Sequence, residues 1–424
     1  MTDSPRMSGV PQNLQVSNSA LTAERGRRSF RLVASATLLL LGLVAPLVIL
    51  ELVLRAFGPI LPGRYSSGLH QEPHPVYGRF QIPNTSGWYR ADEFVSRVRF
   101  NGLGLREREI PATKPASERR VLVLGDSFVQ GVEVNVEHTL TRRLEERLQS
   151  AGQPATVINA GVAGFSTDQE LLLLDNLGWS LQPDVVVLVF YLGNDVTENS
   201  SDLTKLRKPH FRLTPDGRLE QGSVPPAALE SGDIWSWLRR ESRAVSVFDT
   251  GVVPKLRSVP GIGRLFVLPV ETAGPEPIGA GPGGSDVYRA ELNETWQTAW
   301  RLTDRLLARI SERTRSRNVP FLLVGAPSKW EVYPDDWQAL LRQNDLPFTG
   351  WDLDGPENRL ATTASQLNVR YVPARPRLRA ASNTPQRQYF RNDVHWTPAG
   401  HNTMAELISE ALLEPSALES WTRR

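Results

Sequence analysis

Three short segments of this chain carry side chains suited to acyl transfer. Gly125-Asp126-Ser127 follows the apolar run Val121-Leu122-Val123-Leu124, Gly193-Asn194-Asp195 follows the run from Val185 to Tyr191, and Asp393-Val394-His395-Trp396 precedes the last helical stretch. A serine hydroxyl is a poor nucleophile at neutral pH and needs a base within hydrogen-bond reach. Among the histidines, His70 and His74 lie in an irregular lead-in, His138 near a helix start and His210 in an excursion from the regular pattern. His395 is the base this pattern favours, because Asp393 is placed to hold Nδ1 and leave Nε2 for Ser127. His401 reads as a structural residue bonding within the last helix, and Asp126 as a turn-stabilising side chain that accepts local backbone N–H groups.

Acyl transfer also develops negative charge on a carbonyl oxygen, so preorganised donors are needed. The sequence offers three: the backbone N–H of Ser127, the backbone N–H of Gly164 at the end of Asn159-Ala160-Gly161-Val162-Ala163-Gly164, and the side-chain amide of Asn194. Taken singly, each segment is ordinary turn chemistry. Together, at successive strand ends, they make an oxyanion hole.

The elements around these segments alternate. Val121–Leu124, Val157-Ile158, Asp184–Tyr191, Val319–Val324 and Val369–Val372 read as strands, short apolar runs of the kind buried on both faces. Helical periodicity fills Glu137–Gln149, a stretch opened by Ser166 or Thr167, Glu291–Ser316, Glu357–Leu367 and Pro398–Leu413. This alternation predicts an α/β fold, a three-layer α/β/α sandwich with a central parallel sheet. Such sheets bind ligands at the carboxyl ends of their strands, where Ser127 and Asn194 fall.

With those residues identified, the chain resembles the SGNH (GDSL-like) hydrolase superfamily over about Arg119 to Leu413, outside the excursion. Gly125-Asp126-Ser127 is similar to its serine block, Asn159 to Gly164 to its glycine block, Gly193-Asn194-Asp195 to its asparagine block and Asp393 to His395 to its histidine block. The resemblance implies a flavodoxin-like sandwich, with Gly164 at the oxyanion position and no cofactor; no metal site is read from the sequence. The family's common pattern is Asp-x-x-His, whereas here Asn392 stands three residues before His395 and Asp393 two before. The shorter spacing resembles the alginate acetyltransferase-like branch, and Asp393 and Asn392 both stay open as the third triad member. Residues 76–110, with Asn101-Gly102-Leu103-Gly104-Leu105-Arg106, look like the lead-in of membrane-anchored bacterial members.

Composition and the N-terminus set the compartment. With Lys+Arg 48 against Asp+Glu 46 there is no concentrated basic footprint, so nucleic acid is not an expected partner. Cysteine is absent, which excludes disulfides, thiolate nucleophiles and Cys-ligated zinc. Arg25, Arg27, Arg28 and Arg31 precede an apolar stretch long enough to span hydrocarbon. The expected order is a basic cytoplasmic tail (1–31), a transmembrane signal-anchor (32–54), an extracytoplasmic lead-in (55–118) and a catalytic domain (119–424) with an insertion at about 199–285. Within that insertion, Gly251–Gly284 is dense in Gly and Pro, as in a surface loop or a lid.

These observations converge on a serine esterase held in the bacterial cytoplasmic membrane, with its catalytic domain outside. The expected substrate is an acylated glycan or a small ester, with acetyl as the acyl group. An O-acyltransferase acting on an exported glycan is the alternative, with a multi-spanning acyltransferase as candidate partner. A non-catalytic glycan-binding or assembly protein is the third reading.

Overall fold

The computed structural model describes residues 13–57, 65–67, 71–204, 206, 208–225, 237–238, 242–248 and 284–415. Its chain divides into two compact units. The smaller contains the helix α1, Asn13–Phe57, whose segment Phe30–Phe57 has a mean hydropathy of 2.6 and is long and apolar enough to cross a membrane. The helix begins well before the apolar stretch. Residues 13–31, expected as part of a basic tail, include four Arg, two Leu and two Ala, which favour helix and extend it backwards. Pro46 lies inside it, as membrane-spanning helices tolerate.

The larger unit is built on a five-stranded parallel sheet. In chain order its strands are β1 (Arg120–Gly125), β2 (Thr156–Gly161), β3 (Val185–Tyr191), β4 (Phe321–Ala326) and β5 (Arg370–Pro373). Across the sheet they run β5-β4-β3-β1-β2. Alternate side chains of each strand enter two separate cores. On one face Leu122, Leu124, Ile158, Leu188, Phe190 and Leu323 pack with the helices Thr167–Asn176 (α4), Glu294–Arg315 (α6) and Gly355–Gln366 (α9). On the other, Val121, Val123, Val157, Val187, Val189 and Val324 pack with Leu140–Ser150 (α3) and Pro398–Leu413 (α11). The short helices Ser127–Gln130 (α2) and Asp195–Asn199 (α5) leave the carboxyl ends of β1 and β3 directly. Lys329–Val332 (α7), Pro334–Gln343 (α8) and Arg375–Ser382 (α10) complete the helices that follow β4 and β5.

The lead-in is more regular than its Gly- and Pro-rich composition predicts. Tyr65–Ser67, Ser86–Arg90 and Val95–Arg99 form an antiparallel three-stranded sheet, and Gln71–His74 pairs with Gly78–Gln81. In Val95–Arg99, within the stretch Phe94–Phe100 that the sequence offers as a short strand, only Ser96 and Val98 turn inward, a half-buried alternation. Part of the insertion is also ordered: Phe211–Leu213 pairs with Leu219–Gln221, and the buried Lys208 ammonium is 2.7 Å from Asp168 at the start of α4. Gly251–Gly283 lies outside the described residues.

Candidate active site

Ser127 opens α2 at the end of β1, and the turn that aims it has identifiable causes. Asp126 caps the helix, its Oδ1 accepting the Phe128 N–H at 2.9 Å. This is the local turn bond expected of it. At the neighbouring strand end, a Cβ on Gly161 would come within 2.3 Å of the Gln130 backbone nitrogen, so only glycine lets β2 pack this closely on the nucleophile helix. Asn159 fastens the same junction: its Nδ2 donates to Val129 O at 2.9 Å and its Oδ1 accepts the Gly161 N–H at 3.0 Å.

His395 arrives from the loop before α11. Its Nε2 lies 2.8 Å from Ser127 Oγ, and its Nδ1 lies 2.6 Å from Asp393 Oδ1. Both Ser127 and His395 are buried. The Asp393 carboxylate also accepts the His395 backbone N–H at 3.0 Å. Asn392 is exposed, and its backbone N–H goes to Glu93 at 2.5 Å. Of the two residues left open by the sequence, Asp393 is the one on the imidazole. The loop itself is held from two sides, by Glu93 of the lead-in accepting the Arg391 N–H at 2.8 Å and by Lys329 Nζ donating to Arg391 O at 2.9 Å. Phe128 packs against the imidazole face, ring centroids 4.8 Å apart.

Gly164 has φ +76, in the left-handed region that favours glycine, and open space where a side chain would be. Asn194 caps α5 and is buried. Among the described residues neither its Nδ2 nor its Oδ1 has a hydrogen-bond partner of normal geometry, although the amide lies close enough to Glu198 to favour that carboxylate's charged form.

Two residues near the site have no local signal in the sequence. Glu133 is buried in the loop after α2, with Oε1 3.3 Å from His395 Nδ1. Arg106 is buried in the lead-in and donates through Nη1 to Gln130 O at 2.9 Å and to Gly131 O, and through Nη2 to Val134 O at 2.6 Å. The Asn101–Arg106 segment was visible as a motif, but what it grips was not.

The remaining histidines are accounted for in part. His401 Nδ1 accepts the Leu140 backbone N–H at 3.1 Å, so it ties α11 to α3 instead of bonding within its own helix as expected. His74 accepts from the Val76 and Tyr77 N–H groups, His138 pairs with Arg143, and His210 Nε2 lies 3.1 Å from Leu206 O. His70 lies outside the described residues.

The electrostatics are dominated by buried acids. Burial pushes the Asp126 carboxyl up to about 6 and the Glu198 carboxyl up to about 8, and it raises those of Glu170 and Asp195 well above the usual range. Burial alone would push the His395 imidazole down. Glu133, then Asp393 and Asp126, outweigh it and carry the imidazole up to about 9.

Comparison with known proteins assigns the chain to a family. A curated arylesterase of Vibrio mimicus is 35% identical over 79 residues, which is 19% of this chain and 39% of the relative. This chain therefore matches well under half the length of that relative. Solved structures with a similar course include an acetyl xylan esterase, 15% identical with a TM-score of 0.36, covering 69% of this chain and 100% of the other. A GDSL-like lipase from Bacteroides thetaiotaomicron is 13% identical with a TM-score of 0.33, covering 72% and 91%. The model of the GDSL-like lipase/acylhydrolase family matches residues 123–402, from the strand that delivers Ser127 to the helix that follows His395, and the chain belongs to that family.

Proposed function

We propose that this protein is a membrane-anchored serine esterase that removes acyl groups, acetyl in the first instance, from a surface or exported glycan. The observation that carries this reading is the unbroken chain from Ser127 Oγ through His395 to Asp393, at 2.8 and 2.6 Å. Ser127 Oγ attacks the acyl carbon and its proton passes to His395 Nε2. Asp393 keeps the proton of Nδ1 in place and stabilises the imidazolium that forms. The Ser127 and Gly164 N–H groups and Asn194 Nδ2 receive the oxyanion. The alcohol leaves with the proton from Nε2, and water, activated by the same imidazole, releases the acyl group from Ser127. Ester cleavage is also what the name of the arylesterase relative says of that protein.

The anchor is the segment Phe30–Phe57. The arginines ahead of it favour a cytoplasmic N-terminus, which puts the remaining chain outside, where acylated glycans are exposed. The test is turnover of 4-nitrophenyl acetate and of acetylated oligosaccharides by the full-length protein in detergent. Ser127→Ala is expected to abolish both while the circular dichroism spectrum stays unchanged. Undiminished turnover by that variant would refute the mechanism. Acetylated sugar forming faster than free acetate, when an acceptor oligosaccharide is added, would make the protein a transferase.

A further inference from the structure

His395 Nδ1 faces two carboxylates. Asp393 takes the hydrogen bond at 2.6 Å, and Glu133 Oε1 stands beside it at 3.3 Å, with the Glu133 side chain almost wholly buried and its Oε2 without a hydrogen-bond partner among the described residues. A carboxylate is expensive to bury without a compensating charge or donor. The nearby cationic groups are the Arg106 guanidinium and the His395 imidazole, both of which favour the charged form of Glu133. The loop is held through its main chain: Arg106 donates to the carbonyls of Gln130, Gly131 and Val134, on either side of Glu133, and so fixes where that side chain points. Gly131, at φ +63, turns the chain out of α2 toward this clamp. The conspicuous segment Asn101–Arg106 thus ends on the loop that carries the second carboxylate.

We propose that Glu133 is a positioning residue for His395, a second negative charge on Nδ1 that governs how readily the imidazole takes and returns the Ser127 proton. This rests on the Ser127–His395–Asp393 reading given above. The charged and titratable groups that act on the imidazole are Asp393 on its own loop, Asp126 before the nucleophile, Glu133 after it and His401 from α11, while Arg106 from the lead-in acts on Glu133 and Lys329 from α7 on Asp393. Of these, Glu133 acts most strongly to favour the imidazolium. Such a base is largely protonated in the resting enzyme at neutral pH, so kcat/KM should rise with pH until the imidazolium has lost its proton. Removing the Glu133 charge has two opposed effects. The base becomes free at lower pH, and the imidazolium formed during attack is less well stabilised.

The experiment is a pair of pH–rate profiles for 4-nitrophenyl acetate, corrected for spontaneous hydrolysis, with the full-length protein in detergent. Glu133→Gln is expected to move the acid limb of kcat/KM down by roughly one pH unit or more, the size of effect a neighbouring opposite charge produces. It should also lower the alkaline plateau, so that the ratio of variant to wild type climbs steadily as pH falls. Glu133→Asp keeps the charge at a greater distance and should give an intermediate limb, which also provides the readout if the Gln variant does not fold. A residue that only props up the loop would lower activity by the same factor at every pH. A ratio independent of pH for both variants, with Ser127→Ala inactive, would overturn this inference and leave the proposed function standing. Wild-type turnover by Ser127→Ala would overturn both.

Discussion

Ser127 Oγ and His395 Nε2 lie 2.8 Å apart although 268 positions of chain separate them. The parallel sheet makes this possible by bringing every strand end to one edge. The loop before α11 returns to that edge with its backbone already committed to Glu93 and Lys329. Little reorganisation is then left for the moment of reaction.

The placement of Asp393 on Nδ1, with Asn392 turned to solvent, yields a clear ranking of variants. Asp393→Asn is expected to lower kcat/KM by ~10²-fold or more, because an amide stabilises the imidazolium poorly and favours the wrong tautomer. Asn392→Ala, an exposed change whose backbone bond to Glu93 is untouched, should stay within about twofold. Steady-state kinetics on both variants decides between them, and the reverse order would restore the three-residue spacing of the family.

Asn194 holds a buried amide with no partner of normal geometry among the described residues. If Nδ2 serves the oxyanion, Asn194→Ala should lower kcat by about 10²–10³-fold with KM little changed. A rise in KM at constant kcat would instead assign Asn194 to substrate binding.

His401 makes a different prediction, one about stability. Burial drives its imidazole down to about 3, and it is neutral in the fold, accepting the Leu140 N–H. In the unfolded chain the same group binds a proton near its ordinary value of 6.5. The stability it contributes is therefore complete above about pH 6.5 and is lost as pH falls, at up to about 1.4 kcal/mol per pH unit, until the folded group itself protonates near 3. Urea unfolding at pH 7 and pH 5 should show a steeper loss for wild type than for His401→Gln, whose amide oxygen can still accept from Leu140. Equal slopes would remove His401 from the acid response.

The membrane reading is checked by a reporter that works only outside the cytoplasm, fused after Arg424. Activity is expected, with the protein released from membranes by detergent and retained in high salt. A silent reporter on a fusion that accumulates to normal levels would reverse the orientation. A soluble form beginning after Glu51 would replace the anchor with a cleaved signal.

The sheet was legible in the sequence because strands buried on both faces read as continuous apolar runs. Val185–Tyr191 and Pro398–Leu413 appear in the structure at or within one residue of their expected bounds. Asp393 and His395 were legible as neighbours in sequence, and the serine, glycine and asparagine segments as strand ends. The helices Lys329–Val332 and Pro334–Gln343 were not, the first because a single turn of helix carries too little periodicity to register. In the lead-in, the stretch Phe94–Phe100 is readable as a short strand and holds Val95–Arg99, while the other lead-in strands carry too little pattern to register. Glu133 and Arg106 were invisible as partners of the site because what matters about them is tertiary: one reaches an imidazole from the far end of the chain, and the other binds carbonyls, which carry no sequence signature.

The alternation of strand and helix starts at Arg119, and that would be the natural place to cut a soluble catalytic fragment. Such a fragment would be incomplete. It would strand the carbonyls of Gln130, Gly131 and Val134 without Arg106 and the N–H groups of Arg391 and Asn392 without Glu93. It would also free the Ala163 carbonyl beside Gly164, which Gln71 holds at 2.8 Å. A catalytic fragment that keeps these bonds therefore has to include Gln71, Glu93 and Arg106, and the lead-in that carries them is as much a support of the active site as any loop of the sheet.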